Sequence, residues 1–313
     1  MNDALSAQQS RLFLVAVPVL ILCQLWLVLG VDLLRARWRR QARPRWRAPV
    51  FGLLSVVGLG GLGWGLLVEP DWLQVTRVEV VSARLPAGAR LRIVHLSDLH
   101  VDGWTRALEQ LPDAVNALQP DLLVFTGDSL NAARGLPVLR EVLSRVETRQ
   151  GRFAVQGNHD VAYWRNLDLF GGGVARELEG EAWRSADGRV VLCGAAFGDP
   201  GRIAECLRAH PEGLRIVAYH TPDLVEDLAP LEPDLYLAGH THGGQVRLPF
   251  YGALLTLSRF DKAYEMGLYQ VRRTALFVSR GVGVEPHAPR IRFLCRPEIA
   301  VIDVVGAPGQ AEM

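Results

Sequence analysis

Two uncharged apolar runs, 12–31 and 48–68, open the chain. Each is about 20 residues long, which at roughly 1.5 Å per residue matches a hydrocarbon core about 30 Å thick. From Asp71 the pattern changes. Val75 to Val81 alternates apolar and polar residues and predicts a strand, and Leu91–Leu96, Asp121–Thr126 and Arg152–Gln156 are short apolar runs that predict buried strands. Helical spacing over Ala107–Leu118, which stops before Pro120, and over Val138–Val146 places helices between them. Further strands are predicted at Val190–Cys193, Leu214–Tyr219, Asp234–Leu237, Tyr269–Arg272, Ala275–Ser279 and Ile299–Val305. Strands alternate with helices first and follow one another later, an order that favours an α/β sandwich with mixed sheets.

Charge gives the N-terminal runs a direction. The segment 35–47 between them holds seven arginines together with Trp38 and Trp46. The positive-inside rule puts that loop in the cytoplasm, with the tryptophans at headgroup depth and both chain ends on the outer side. A transmembrane hairpin is therefore the leading expectation, ahead of one span with an interfacial segment and ahead of a cleaved signal. No small-x-small cleavage site follows the first run, and Leu-Ile-Leu before Cys23 does not suit a lipoprotein. Glycines 58, 60, 61, 63 and 65 weaken the helical reading of the second run or mark close helix approach. The arginines themselves read first as a topology determinant, with anionic lipid binding as the alternative.

Composition fits this division. Hydrophobic residues make up 49% of the 313-residue chain, and the net charge is +1. Residues 1–70 carry eight arginines against Asp3, Asp32 and Glu69, so the remainder is mildly acidic and a poor generic binder of nucleic acid. None of Cys23, Cys193, Cys206 and Cys295 forms a CxxC pair, which argues against a zinc ribbon or a thioredoxin-type site. The last three read as packed thiols, with one disulfide among them left open.

The chemistry lies where strands end. Ser97-Asp98-Leu99-His100 follows the strand 91–96, and Gly127-Asp128-Ser129-Leu130-Asn131 follows 121–126. Gly157-Asn158-His159-Asp160 follows 152–156, His220-Thr221-Pro222 follows 214–219, and Gly239-His240-Thr241-His242-Gly243-Gly244 follows 234–238. In open α/β sheets ligands bind at the carboxyl ends of strands, so loops far apart in sequence can share one rim. Asp, His and Asn together form an oxygen/nitrogen shell for ions such as Mn, Fe or Zn, and an ion pair needs a bridging carboxylate, for which Asp128 is the central candidate. In extended backbone, Asp98-x-His100 and His240-x-His242 would each put both side chains on one side. A lone aspartate at a strand end is usually a cap or turn residue, and a lone buried histidine is usually structural; five histidines in such motifs in one order are not. His95, His210 and His287 stay with the structural reading, as a packed strand residue, a helix end and a loop residue. Arg280, Arg290 and Arg292 read as surface or ion-pair residues.

The ordered set D-x-H, GD, GNHD, H and GHTH over roughly residues 90–305 resembles the calcineurin-like metallophosphoesterase superfamily. The longer string 239–245, with Ser279-Arg280-Gly281 and Arg296-Pro297-Glu298, is similar to its membrane-associated bacterial branch, which includes phosphodiesterases and UDP-diacylglucosamine hydrolases. The resemblance implies a four-layer α/β/β/α sandwich and two divalent metal ions. Asp98, His100 and His242 would hold one ion, Asn158, His220 and His240 the other, and Asp128 would bridge. It further implies attack by a hydroxide activated between the ions, with His159 protonating the leaving alcohol and Asp160 orienting the His159 imidazole. Asn131 stands where the family often has a second aspartate, a change that bears on hydrogen bonding behind the ligands.

The expectation is thus a membrane anchor over 1–70, a metallophosphoesterase domain over 71–306 and a flexible tail over 307–313. The enzyme would hydrolyse phosphodiester or pyrophosphate bonds, with a lean toward a lipid-linked substrate, from the cytoplasmic membrane of a bacterium with its domain on the outer or periplasmic side. The alternative is a catalytically silent metal-binding scaffold or sensor. Nothing in the sequence sets an oligomeric state.

Overall fold

The structure is a computed structural model that describes residues 24, 26–31, 35–38, 46–285 and 290–307. Most of the first apolar run, His287 and the tail beyond Ala307 lie outside the described residues. Residues 26–31 are helical, and the second run forms a helix over Arg47–Leu67. Among the described residues one helix, Pro49–Asp71, is long and apolar enough to cross a membrane. Its glycines do not break it.

Among the described residues fourteen strands follow. The first seven are β1 (Gln74–Ser82), β2 (Arg90–Leu96), β3 (Leu122–Phe125), β4 (Gly151–Ala154), β5 (Arg176–Glu177), β6 (Ala182–Arg184) and β7 (Val190–Gly194). The rest are β8 (Leu214–Ala218), β9 (Leu235–Ala238), β10 (Arg247–Leu248), β11 (Gly252–Ala253), β12 (Gly267–Val271), β13 (Thr274–Val278) and β14 (Glu298–Gly306). They form two six-stranded mixed sheets, ordered β1-β14-β2-β3-β4-β5 and β12-β13-β9-β8-β7-β6, and a short β10-β11 hairpin. Only β14-β2 in the first sheet and β12-β13 and β6-β7 in the second are antiparallel.

Burial explains which runs became which strands. β3, β8, β9 and β13 are buried throughout, as parallel strands covered on both faces must be. β1 keeps its alternation because it is an edge strand. The two sheets face each other across one core, in which Ile93, Val124 and Phe153 of the first meet Leu192, Ile216 and Phe277 of the second. Outside the first sheet, Leu108, Leu111 and Val115 of the helix Arg106–Asn116 pack on Leu123 and Phe125. Thr105 caps that helix, its Oγ1 accepting from Leu108 N at 3.2 Å. Outside the second sheet, Ile203 and Leu207 of the helix Pro200–Ala209 pack on Val217 and Tyr236. Helix, sheet, sheet, helix is the layer order.

Three expectations need adjusting. Cys193 of β7 and Cys206 of the helix Pro200–Ala209 form a disulfide, so only Cys295 among the three body cysteines is a packed thiol. Arg292 is neither at the surface nor in an ion pair. It is fully buried and donates to the carbonyls of Gly281, Gly283 and Cys295, stapling the 280–295 loop. The short elements β5, β6, β10 and β11 had no sequence signal of their own. His95 is packed as expected, with Nε2 2.8 Å from Thr126 Oγ1, and burial pulls it down to about 3.

Candidate metal centre

The polar residues after β2, β3, β4, β8 and β9 meet at one rim, where the two sheets present their carboxyl ends. Asp98, His100 and His242 form one group whose ligand atoms lie within 4.8 Å of one another, and Asp128, His220 and His240 form a second. Asp128 joins them: its Oδ2 is 3.6 Å from His100 Nε2 and 3.4 Å from His220 Nε2. Its Oδ1 accepts from the His159 backbone N–H at 2.9 Å. In the first group His242 Nε2 is 3.4 Å from Asp98 Oδ1 and 3.2 Å from His100 Nε2.

The backbone at these positions is not extended, contrary to the geometry assumed for the two x-spaced pairs. Asp98 (φ 52°), His100 (45°), Asp128 (56°), His240 (70°) and His242 (52°) are all left-handed. Each such residue costs on the order of 1–3 kcal/mol and persists only where its surroundings over-determine it, as at functional sites. Close backbone approach is part of that determination. Gly127 (φ 93°) lies against Gly157 N, and a Cβ at Gly239 would overlap Ser97 Oγ.

Groups behind the imidazoles fix which ring nitrogen faces the centre. His220 Nδ1 is 2.7 Å from Thr126 O and His100 Nδ1 is 2.8 Å from Asn131 Oδ1, so both rings donate backward and turn Nε2 inward. His240 is reversed: its Nε2 donates to Leu257 O at 3.2 Å and its Nδ1 is 3.1 Å from His220 Nε2. Asn131 thus supplies the support expected of the aspartate it replaces, while its Nδ2 donates to Val284 O at 3.0 Å.

One residue differs from its expected role, and another was not expected at all. Asp160 does not orient His159. Its carboxylate accepts from Ser129 N, Ser129 Oγ and Gly157 N at 2.9–3.1 Å, which holds the turn carrying Asn158 and starts the helix Asn158–Tyr163. The carboxylate set against the ring belongs to Glu285, whose Oε1 is 3.3 Å from His159 Nε2. Glu285 Oε2 also lies 3.6 Å from His242 Nε2 and 3.8 Å from His100 Nε2. Sequence reasoning missed Glu285 because it stands in the loop after β13, outside any motif. The string Ser279-Arg280-Gly281 that opens that loop is the local sequence signal that could have drawn attention to it.

The donor set suits divalent cations. Asn158 Oδ1, next in sequence to the His159 N–H that donates to Asp128, is buried with no hydrogen-bond partner among the described residues, an acceptor left available to a cation. The electrostatics agree. Burial works to raise Asp128, but the charges of His220 and His100 outweigh it and hold the carboxyl well below its usual range. Burial likewise lowers His100 and His240 to about 4, whereas at His220 the pull of Asp128 and Asp98 overcomes burial and lifts the ring to about 10. A buried centre that draws a positive charge so strongly onto one imidazole is a place where a metal cation would be held.

A two-sheet sandwich with an Asp/His/Asn cluster at its strand ends defines a metal-dependent hydrolase of phosphate esters. The calcineurin-like phosphoesterase family model matches residues 91–244. The chain is 30% identical over 282 residues to the uncharacterized metallophosphoesterase YkuE of Bacillus subtilis, covering 84% of this chain and 97% of that one. It belongs to the calcineurin-like metallophosphoesterase family. It is also 30% identical to the phosphodiesterase YaeI of Escherichia coli over 80% of this chain and 95% of that protein. To the UDP-2,3-diacylglucosamine pyrophosphatase LpxG of Chlamydia muridarum it is 25% identical over 78% and 93%.

Proposed function

We propose that the protein is a membrane-anchored phosphoesterase that hydrolyses phosphodiester or pyrophosphate bonds at a centre of two divalent ions. The observation that carries this reading is the place of Asp128 Oδ2, between His100 Nε2 at 3.6 Å and His220 Nε2 at 3.4 Å. Asp98, His100 and His242 would hold one ion, Asn158, His220 and His240 the other, and Asp128 both. Bound ions supply Lewis acidity toward the phosphoryl oxygens and lower the pKa of water toward neutrality. His159 borders the centre through its backbone bond to Asp128, and burial, which would lower its ring, is outweighed by Glu285 and Asp128, which raise it; the ring would serve as the acid toward a leaving oxygen. Glu285 positions that ring, and Asp160 holds the Gly157-Asn158 turn.

The anchor is read as a hairpin of the two apolar runs with the basic loop in the cytoplasm. A hydrogen bond of 2.8 Å from Trp26 Nε1 to Ser55 Oγ supports contact between the runs. The disulfide Cys193–Cys206 supports an oxidising compartment for the domain, independently of the arginine count. A lipid-linked substrate is favoured by a cavity of about 250 Å³ beside the centre, lined by His100, Asn131, Glu285, Thr105, Arg134 and Arg290. Arg290 also pairs with Asp71 at the foot of the apolar helix, at 2.6 Å, so the lining of the cavity is tied to the anchor. The relatives named for phosphodiester and UDP-diacylglucosamine pyrophosphate cleavage set the two bond types to test.

The purified full chain should release p-nitrophenol from bis-p-nitrophenyl phosphate when supplied with Mn²⁺ and lose that activity on chelation. Two bound ions with no turnover on diester or pyrophosphate substrates would point instead to a silent metal-binding scaffold. An alkaline phosphatase fusion after residue 75 should be active; an inactive fusion would place the domain in the cytoplasm.

A further inference from the structure

The segment 247–257 presents a row of exposed apolar side chains that no part of the catalytic argument uses. Phe250 is fully exposed, and Leu248, Tyr251, Leu254, Leu255 and Leu257 are each exposed as well. Scattered single hydrophobics need no explanation, but a contiguous set at the tip of a hairpin does. The β10-β11 hairpin is rigidly based: Arg247 pairs with Glu265 at 2.7 Å, and the same carboxylate accepts from Ala253 N at 3.1 Å. A cation lies beside the apolar tip, with Lys262 Nζ 3.6 Å from the Tyr251 ring.

The hairpin stands next to the anchor. Val246 bridges Phe293, and Arg247 N donates to Phe293 O at 2.9 Å. On the other side of that segment, Arg292 N donates to Gly65 O of the apolar helix at 3.0 Å, and a Cβ on Gly61 would already touch the Phe293 ring at 3.4 Å. The order across this edge is therefore helix, segment 291–294, hairpin. Glu69 accepts from Cys295 N, and Arg290 binds Asp71, so the helix cannot swing freely away from the domain.

Length then sets depth. The helix begins at Arg47 and meets the domain at Gly61, so residues 47–60 precede the contact. At about 1.5 Å per residue they span roughly 21 Å, short of a hydrocarbon core of about 30 Å. The bilayer surface must reach the level of Gly61–Gly65 or beyond, and exposed Leu294, next to Phe293, lines one hollow with Leu248, Phe250 and Tyr251 of the hairpin.

We propose that the 247–257 hairpin is a second membrane contact, its apolar tip seated in the headgroup layer of an anionic leaflet beside the anchor helix, with Lys262 meeting lipid phosphates. This rests on the anchored reading above. Aromatic and leucine side chains flanked by a cation are what such a layer accepts. The contact has a consequence for the centre, because Leu257 O accepts from His240 Nε2 at the end of the same segment. The bilayer would thus hold the strand of chain that positions one candidate ligand, next to where a lipid-linked phosphate would arrive.

The test uses the full-length chain in vesicles of phosphatidylethanolamine and phosphatidylglycerol containing doxyl-labelled lipid. Phe250→Cys, Val56→Cys on the helix and Val81→Cys at the far end of β1 each carry an environment-sensitive fluorophore, with the signal of the labelled parent chain subtracted. Quenching at 250 approaching that at 56, with none above background at 81, is the expected result. Quenching at 56 without quenching at 250 would overturn the hairpin contact and leave the anchor standing. Absence of quenching at 56 would overturn the anchor and the hairpin contact together. Equal quenching at 81 and 250 would overturn the contact too, since the chain would then be adsorbed without orientation.

Discussion

The two halves of the candidate centre are built differently. Asp98, His100 and His242 are surrounded by charge and side-chain amide: Glu285 lies 3.6–3.8 Å from both imidazoles, and Asn131 supports His100. Asn158, His220 and His240 are held by main chain, with Thr126 O behind one imidazole and Leu257 O behind the other, and their own oxygen donor is a neutral amide. The first half offers up to three carboxylates, from Asp98, Asp128 and Glu285, while the second offers Asp128 alone. An ion in the first half would be held chiefly by electrostatic attraction, and an ion in the second by a shell whose geometry the strand ends impose. The halves should therefore part company when charges are removed.

Asp128→Asn removes what the halves share, so it should have the largest effect. Turnover of bis-p-nitrophenyl phosphate should fall by on the order of 10³-fold or more, and metal analysis should show ions lost from both halves. Full activity in this variant would sink the bridging role. His159→Ala should lower kcat by about 10²–10⁴-fold, the range for a lost general acid, while both ions remain. If ions leave instead, His159 belongs to the ligand set, as its closeness to Asp128 and His100 would allow.

Glu285→Gln sharpens the comparison itself. It keeps the shape of the side chain and removes a charge set 3.6–3.8 Å from both imidazoles of the first half. Affinity for one of the two ions, measured by calorimetric titration with Mn²⁺, should drop about 10–100-fold, as for lost groups behind a metal ligand, with the other unchanged. Asn158→Ala should do the reverse. Equal weakening of both ions in either variant would abolish the asymmetry.

What could be read in the sequence, and what could not, follows the same division. Candidate ligands at the ends of β2, β3, β4, β8 and β9 were legible because each apolar run stops in a polar motif within a few residues. Glu285 was not, since it reaches the centre from a loop whose course depends on Arg292 buried beneath it. The left-handed backbone at Asp98, His100, Asp128, His240 and His242 was hidden for a related reason: the surrounding packing imposes it against local preference. Asp160 was assigned to its sequence neighbour, whereas the short helix beginning at Asn158 turns its carboxylate back to Ser129. The mixed-sheet sandwich was legible from the order of strands and helices and its four layers only through the family resemblance, whereas sheet membership was not, and two-residue strands such as β10 and β11 carry too little pattern to register.

Asn131→Asp is the smallest of the expected effects and the one in which two forces oppose. A carboxylate at 131 would accept from His100 Nδ1 in a charge-assisted bond, roughly twice as strong as the present one, and would make Nε2 a better donor to a cation. The same change turns the donor Nδ2 into an oxygen facing Val284 O, now 3.0 Å away, and forfeits a hydrogen bond of about 1 kcal/mol. Affinity of the first half for Mn²⁺ should rise, by less than about tenfold, while the metal-free chain melts a few degrees lower. Because Val284 immediately precedes Glu285, displacement of that loop would also move the second carboxylate away from His100. A fall in affinity would therefore mean that Asn131 serves chiefly to hold the 284–285 backbone in place, and a double variant with Glu285→Gln would show it by losing nothing further.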